Sequence, residues 1–203
     1  MSNRRINVIR IVVHIAAALP LIILIWDFTQ GNLTANPIQE IQLRTGTIAI
    51  NLLMLSFACT PISILTGFKQ VLSLRAPLGI YAFIYALLHF INFLGIDYGF
   101  NLVLIREDLL EKRYAIAGFA SFILLLLLAS TSIKQLRQRL GKKWRRLHWL
   151  VYPAVTLAVT HYLWQAKADI RPPLIYGGVL VILIAIRLPV VRTYAKRHFK
   201  WLK

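Results

Sequence analysis

The chain has 203 residues, 58% of them hydrophobic, with 24 Lys and Arg against 7 Asp and Glu and a formal charge of +17. Several apolar runs reach the roughly 18 residues needed to cross a bilayer core of about 30 Å, which excludes a soluble globular domain. The cations lie between those runs, where membrane topology accounts for them without nucleic acid, and the single cysteine, Cys59, sits inside an apolar run and excludes an intramolecular disulfide or a zinc cluster.

The first span is expected over residues 8–26, after a basic N-terminus that mimics a signal peptide. No small-residue cleavage site precedes Asp27, so the helix is read as retained. Pro20 falls within it, which a membrane helix tolerates when neighbours satisfy the freed carbonyl. Residues 27–43 are rich in Asn, Gln, Thr and Gly and read as a loop. A second span covers 45–65, interrupted at Thr60-Pro61, and a short basic segment with Lys69 and Arg75 ends at Pro77. The third span covers 78–96. The next loop carries Asp97, Arg106, Glu107, Asp108, Glu111, Lys112 and Arg113. The fourth span covers 114–133, a basic loop 134–146, the fifth span 147–165 and the sixth 174–191, entered through Pro172-Pro173. The tail is basic and short, with His198 read as a solvated surface residue. No soluble domain, low-complexity segment, long linker or internal repeat is evident. The expectation is an all-α integral membrane protein, one domain over residues 1–203 built as a six-transmembrane-helix bundle.

Six spans place both termini on one side. That side carries 18 of the 24 Lys and Arg, so the positive-inside rule puts both termini and the 134–146 loop in the cytoplasm. All seven acids fall on the opposite face.

Of five histidines, four lie in or at the ends of the spans. Ionisable residues there are costly and face the bundle interior or a cavity, as functional groups or as interhelical hydrogen bonds. His89 lies about 16 Å along the third span and His161 about 20 Å along the fifth, so with tilt the two share a level. Two neutral imidazoles from facing helices are a usual way to hold a six-coordinate b-type haem. Ala82 and Ala86 share a face with His89, as Ala154 and Ala158 do with His161. Such stripes leave room for a flat macrocycle or simply let helices approach closely.

His148 lies about 20 Å from His161 along the helix, but roughly 140° around the axis. Its partner in a second bis-histidine site would have to be His14. His148 therefore belongs to a second site, to a flavin, or to an interfacial hydrogen bond. Around it gather Lys142, Lys143, Arg145 and Arg146 with Trp144 and Trp149. This set suits a flavin phosphate and ring, or an acidic donor, and equally an interfacial belt. Asp27 and Asp97 at helix ends are read as solvated. There is no nucleotide-binding glycine motif, Ser/His/Asp set or paired intramembrane carboxylate. Nothing in that profile looks built for substrate chemistry alone.

The chain resembles a known family through VHIAAALPLI, NPIQEIQLRTG, Thr60-Pro61, LGIYAFIYALLHF, STSIKQLRQRLGKKWRRLHWLVY, HYLW and PLIYGG. It is similar over almost its whole length to the haem-binding membrane subunits of the periplasmic methionine sulfoxide reductase system (the MsrQ or YedZ family), in the ferric-reductase-like transmembrane group. The resemblance implies haem b and FMN. It carries His89 and His161 over as haem-iron ligands and His148 as a third histidine of haem binding, and matches no residue to the flavin. It further implies a multi-pass protein of the bacterial inner membrane. Such a protein takes electrons from the quinone pool or a cytoplasmic flavin reductase. It passes them to a periplasmic molybdopterin-containing catalytic subunit that repairs oxidised methionines, so that it is an electron-transfer subunit rather than the catalytic one. Two rivals stand beside this: a stand-alone transmembrane reductase of metal ions or oxygen, and a non-redox transporter or assembly factor with structural histidines.

Overall fold

A computed structural model describes residues 3–191 and 193, and among these the regular structure is entirely helical. The order is α1 (Asn3–Thr29), α2 (Pro37–Thr66), a 3₁₀ segment (Lys69–Leu74), α3 (Arg75–Ile91), a π turn (Asn92–Asp97), α4 (Leu102–Glu111), α5 (Arg113–Ser130), α6 (Lys134–Leu140), α7 (Lys142–Leu147), a 3₁₀ turn (His148–Leu150), α8 (Val151–Gln165) and α9 (Arg171–Arg187). Among the described residues, four helical stretches are long and apolar enough to cross a membrane: Ile6–Thr29, Pro37–Thr66, Lys69–Asp97 and Arg113–Ser130. The expected spans correspond in order to α1, α2, α3, α5, α8 and α9, of which α8 and α9 have 15 and 17 residues.

Three stretches read from composition as irregular are helical. Residues 37–43 open α2, because Asn36 accepts the Gln39 N–H at 3.1 Å, Pro37 takes the first turn and Glu40 follows; these are standard helix-start devices. The loop after the third span contains α4, capped by Asn101 through the N–H groups of Val103 and Leu104. The basic loop folds into α6 and α7 around Gly141, whose φ is +49°.

Pro61 does not interrupt α2. A proline lacks the N–H that would bond the carbonyl one turn back, here that of Phe57. The Arg187 guanidinium of α9 donates to that oxygen instead and lies 3.7 Å over the Phe57 ring. The helix therefore continues to Thr66 and ends at Gly67, whose φ is +70°.

The centre of the fold is a ring of four helices. α2 packs most extensively on α3 and α5 on α8, and the two pairs meet through α3 with α5 and α2 with α8. Ala82 and Ala154 are completely buried in the helix contacts. The end of the ring near the basic segments is filled by Phe57, Leu78, Leu128 and Val155. α9 packs on α2 and α8, and α1 lies against α2 and α3. Tyr85, buried on α3, donates its hydroxyl to the Ala17 carbonyl of α1 at 2.7 Å. The rest of α1 presents Ile11, Ile15, Ile22 and Trp26 outward, the exposure expected of a lipid-facing helix.

Candidate functional site

Toward the acid-rich end, the four helices part around a cavity of about 350 Å³. His89 of α3 and His161 of α8 both line it. Their ring centres are 6.1 Å apart and their planes stand at 86°. Sequence reasoning paired these two residues, and the fold brings them together. Ala86 and Ala158 also line the wall. Ala82 and Ala154, one turn away, serve close packing instead, and Ser121 of α5 donates its hydroxyl to the Ala154 carbonyl at 2.9 Å.

Each imidazole is held by a neighbouring helix. His89 Nδ1 lies 2.9 Å from the Gln42 carbonyl of α2, and His161 Nδ1 lies 2.7 Å from the Tyr114 carbonyl of α5. A carbonyl only accepts, so both Nδ1 atoms carry the hydrogen and both Nε2 atoms keep the lone pair. Under each ring lies a glycine. A Cβ on Gly46 would stand 2.9 Å from His89 Nδ1, and one on Gly118 would stand 2.6 Å from His161 Nδ1.

The two arrangements share one register. Gly46 precedes His89 by 43 residues and Gly118 precedes His161 by the same 43; each carbonyl precedes its histidine by 47. An offset of 72 residues maps Gly46, Ala82, Ala86 and His89 onto Gly118, Ala154, Ala158 and His161. A repeat thus exists at the site, although the chain as a whole shows none at the level of residue types. Gln42, Gly46, Asn92 and Gly118 were missed by sequence reasoning, and the equal glycine-to-histidine spacing was the signal for two of them.

The surroundings differ. Beside His89, the Gln42 side-chain nitrogen lies 3.1 Å from Nε2. Asn92 donates to Gln42 Oε1 at 2.6 Å and to the Ile38 carbonyl at 3.2 Å. Asn92 is buried, and its Oδ1 has no partner. Beside His161 stands the Tyr114 ring, 6.0 Å away between centres.

The pair fits one particular kind of ligand. Imidazole nitrogens sit about 2.0–2.1 Å from a bound metal, with ring centres about 1.1 Å further, so two on opposite sides of one ion place their centres roughly 6 Å apart. Among the described residues, no three His, Cys, Asp or Glu gather to hold a metal. An ion held by this pair must bring its other ligands, as haem iron does. Ile50, Leu53, Phe90, Phe119, Phe122 and Leu125 give the cavity apolar walls. Metal at His89 Nε2 requires the Gln42 amide to turn away, and the unpartnered Asn92 Oδ1 is the neighbouring acceptor.

Tyr98, Asp108 and Lys112 also line this cavity, where the Tyr98 hydroxyl and the Lys112 ammonium both donate to Asp108 Oδ2. Burial and the Asp108 hydrogen bond push the Tyr98 phenol up to about 12. Burial alone would raise the Asp108 carboxyl, but bonds from Lys112 and Tyr98 hold it below the usual range. The same bond to Asp108 raises Lys112.

The remaining histidines lie elsewhere. The His148 ring packs 3.9 Å from Trp144 between centres, with Nε2 3.5 Å from the Thr131 hydroxyl, and His148 does not line the cavity. The Arg137 guanidinium lies 4.6 Å from the Trp144 ring. Lys142, Lys143, Arg145, Arg146 and Trp149 are exposed. His14 is exposed, with Nδ1 3.0 Å from the Tyr81 hydroxyl. His198 lies outside the described residues.

A family model described as ferric reductase like transmembrane component matches residues 45–159, a stretch holding Gly46, His89, Gly118 and His148. The chain is 41% identical over 181 residues to a Xanthomonas axonopodis pv. citri protein, covering 86% of this chain and 83% of that one. It is 39% identical over 206 residues to one from Xanthomonas oryzae pv. oryzae, covering 97% and 94%. It is 40% identical over 185 residues to one from Rhodospirillum rubrum, covering 90% and 89%. All three relatives bear the name protein-methionine-sulfoxide reductase heme-binding subunit MsrQ.

Proposed function

Because the chain belongs to the MsrQ family of haem-binding subunits, within the ferric-reductase-like transmembrane components, we propose that it is a membrane electron-transfer subunit of a methionine sulfoxide reductase, holding a b-type haem between His89 and His161. The observation that carries this reading is the 6.1 Å pair of histidine rings across an apolar cavity, each with its Nδ1–H committed to a helix carbonyl. The haem, when bound, supplies one-electron redox chemistry. The chain supplies the rest. The two carbonyls fix the tautomer that puts the lone pair on Nε2, open to metal at His89 once the Gln42 amide turns away, and hold the rings in place. Phe90, Phe119 and Phe122 give the haem apolar wall to pack against.

The same reading gives the chain six transmembrane helices, both termini in the cytoplasm and the acid-rich end in the periplasm of a bacterial inner membrane. Electrons enter at the basic end, from the quinone pool or a cytoplasmic flavin reductase. They leave at the acid-rich end to a periplasmic molybdopterin-containing catalytic subunit. His148 and an FMN belong to the basic end in this proposal. The exposed cations of α7 and the exposed Trp149 support an anionic, flat-ringed ligand there; Trp144 is already engaged by His148 and Arg137.

The test is a reduced-minus-oxidised absorption spectrum of the purified protein beside His89→Ala and His161→Ala. A b-type spectrum in the wild type that both variants lose is the expected result. A wild type still colourless after haem supplementation overturns the reading. A spectrum surviving both changes moves the ligation to His14 and His148.

A further inference from the structure

Building on the haem reading, we propose that Gly46 and Gly118 are positioning residues for the two histidines, each baring one helix carbonyl so that an imidazole Nδ1–H can dock on it. In an α-helix the carbonyl of residue i bonds the N–H of residue i+4. The Cβ of residue i+4 leans back toward the N-terminus, over that same carbonyl. Gln42 and Gly46 stand in this relation on α2, and Tyr114 and Gly118 on α5. With hydrogen in place of a side chain, the second lone pair of the carbonyl is open to a donor from another helix. His89 and His161 use it, at 2.9 Å and 2.7 Å.

The closeness of the approach makes the glycines necessary. A methyl group on Gly46 would lie 2.9 Å from His89 Nδ1 and 3.0 Å from Cε1; on Gly118 it would lie 2.6 Å from His161 Nδ1 and 2.9 Å from Cε1. The ring must then leave the carbonyl. Of the other helical glycines, Gly95 in the π turn makes room for the Phe100 ring, at 2.8 Å from a Cβ, but for no hydrogen bond to a carbonyl; a Cβ on Gly79 meets only the Ser56 hydroxyl at 3.4 Å, and Gly177 and Gly178 have open space. Glycine is a poor helix former. Its presence at the same distance before each histidine therefore marks a local requirement.

The hydrogen bond behind a metal-bound histidine orients the ring and raises its basicity, and losing such a partner weakens metal affinity about 10- to 100-fold. Gly46→Ala and Gly118→Ala are expected to bind haem that much more weakly in titrations of the full-length detergent-purified apoprotein. A raised midpoint potential is expected in whatever haem remains, because a less basic imidazole favours the ferric state less. The tighter contact at Gly118 predicts the larger effect there, and Gly177→Ala, as control, should match the wild type.

A structural role for the glycines is separated by a double-mutant cycle read on apoprotein thermal stability. If the methyl acts through the ring, Gly118→Ala destabilises the wild type but not the His161→Ala background, and likewise for Gly46 with His89. Equal losses in both backgrounds, or unchanged haem affinity and potential, overturn the proposal. A wild type that binds no haem overturns the proposed function instead, and the apoprotein cycle still decides the role of the glycines.

Discussion

The two hairpin-like halves of the bundle, α2 with α3 and α5 with α8, hold their histidines by one device and surround them differently. Each has a carbonyl, a glycine one turn later and a histidine at the same spacing. Around His89 the shell is polar, with Gln42 and the buried Asn92 linked to each other and to the backbone. Around His161 it is aromatic, with Tyr114 beside the ring. The shared part answers a requirement both rings have, a fixed tautomer. The unshared part tells the two sides of the site apart: only His89 has a side-chain amide beside its Nε2.

Removing Asn92 breaks this comparison most strongly. The position one repeat later is Trp164, which is exposed. Asn92→Leu removes the donor to the half-buried Gln42 amide oxygen, and the penalty of about 1–3 kcal/mol for an unsatisfied fully buried polar group is its upper bound. Trp164→Leu leaves no such group behind. Thermal unfolding in detergent is expected to show a clear loss for the first and a much smaller one for the second. Equal losses would mean that the hydrogen bonds of Asn92 contribute nothing beyond packing.

A gentler difference lies in the ion pairs over each half. Arg44 bridges Asp27 and Glu40 at 2.5 Å each, away from the cavity, whereas Asp108, Lys112 and Tyr98 line it. The lowered Asp108 carboxyl favours its ionised form in the fold. Its contribution is complete above the ordinary value of about 3.9 and is lost as pH falls through the lower folded value. Tyr98, raised to about 12, and Lys112, raised too, favour their protonated forms. Their contributions are complete below about 10 and are lost as pH rises through the folded values. The stability difference between wild type and Asp108→Asn should therefore be flat between about pH 4 and pH 10 and shrink on either side. A difference independent of pH would show that the charge on Asp108 plays no part.

Much of this was legible in the chain. Length and hydropathy mark α1, α2, α3 and α5, the stretches long enough to cross a membrane among the described residues, and the places of the shorter α8 and α9; two histidines in apolar runs at matched depth mark the pair. What escaped did so for identifiable reasons. Polar composition hid the start of α2, although Asn36, Pro37 and Glu40 spell a helix N-terminus. α4 was hidden in the same way behind Asn101. The repeat was hidden because its matched positions are thinly spread: Gly46 with Gly118 and Ala86 with Ala158 stand among residues that differ freely, since lipid accepts almost any apolar side chain. The carbonyl contacts of Gln42 and Tyr114 involve the backbone, which residue identity does not report. The ring-to-glycine approach emerges only once α2 packs on α3 and α5 on α8.

The finest test of the repeat is a hydroxyl that only one half possesses. Ser121 of α5 bonds the Ala154 carbonyl of α8 at 2.9 Å; one repeat earlier the pair is Ala49 and Ala82. Ala154 lies in the first turn of α8, where its carbonyl also accepts the N–H one turn on, so Ser121→Ala leaves it satisfied. The loss should be small, near the average of about 0.6 kcal/mol for interhelical side-chain bonds in membranes. Ala49 lines the cavity, so a serine there has room for its hydroxyl. If the two helix pairs are packed equivalently beyond the glycine and histidine, Ala49→Ser places that hydroxyl on the Ala82 carbonyl. It then returns a gain of the same size, measurable as an equal rise in unfolding temperature in the wild-type and the Ser121→Ala backgrounds. A serine that instead bonds back within α2 gains nothing, because such a bond only competes with the helix's own. That result would confine the equivalence of the two halves to the pieces that touch the histidines.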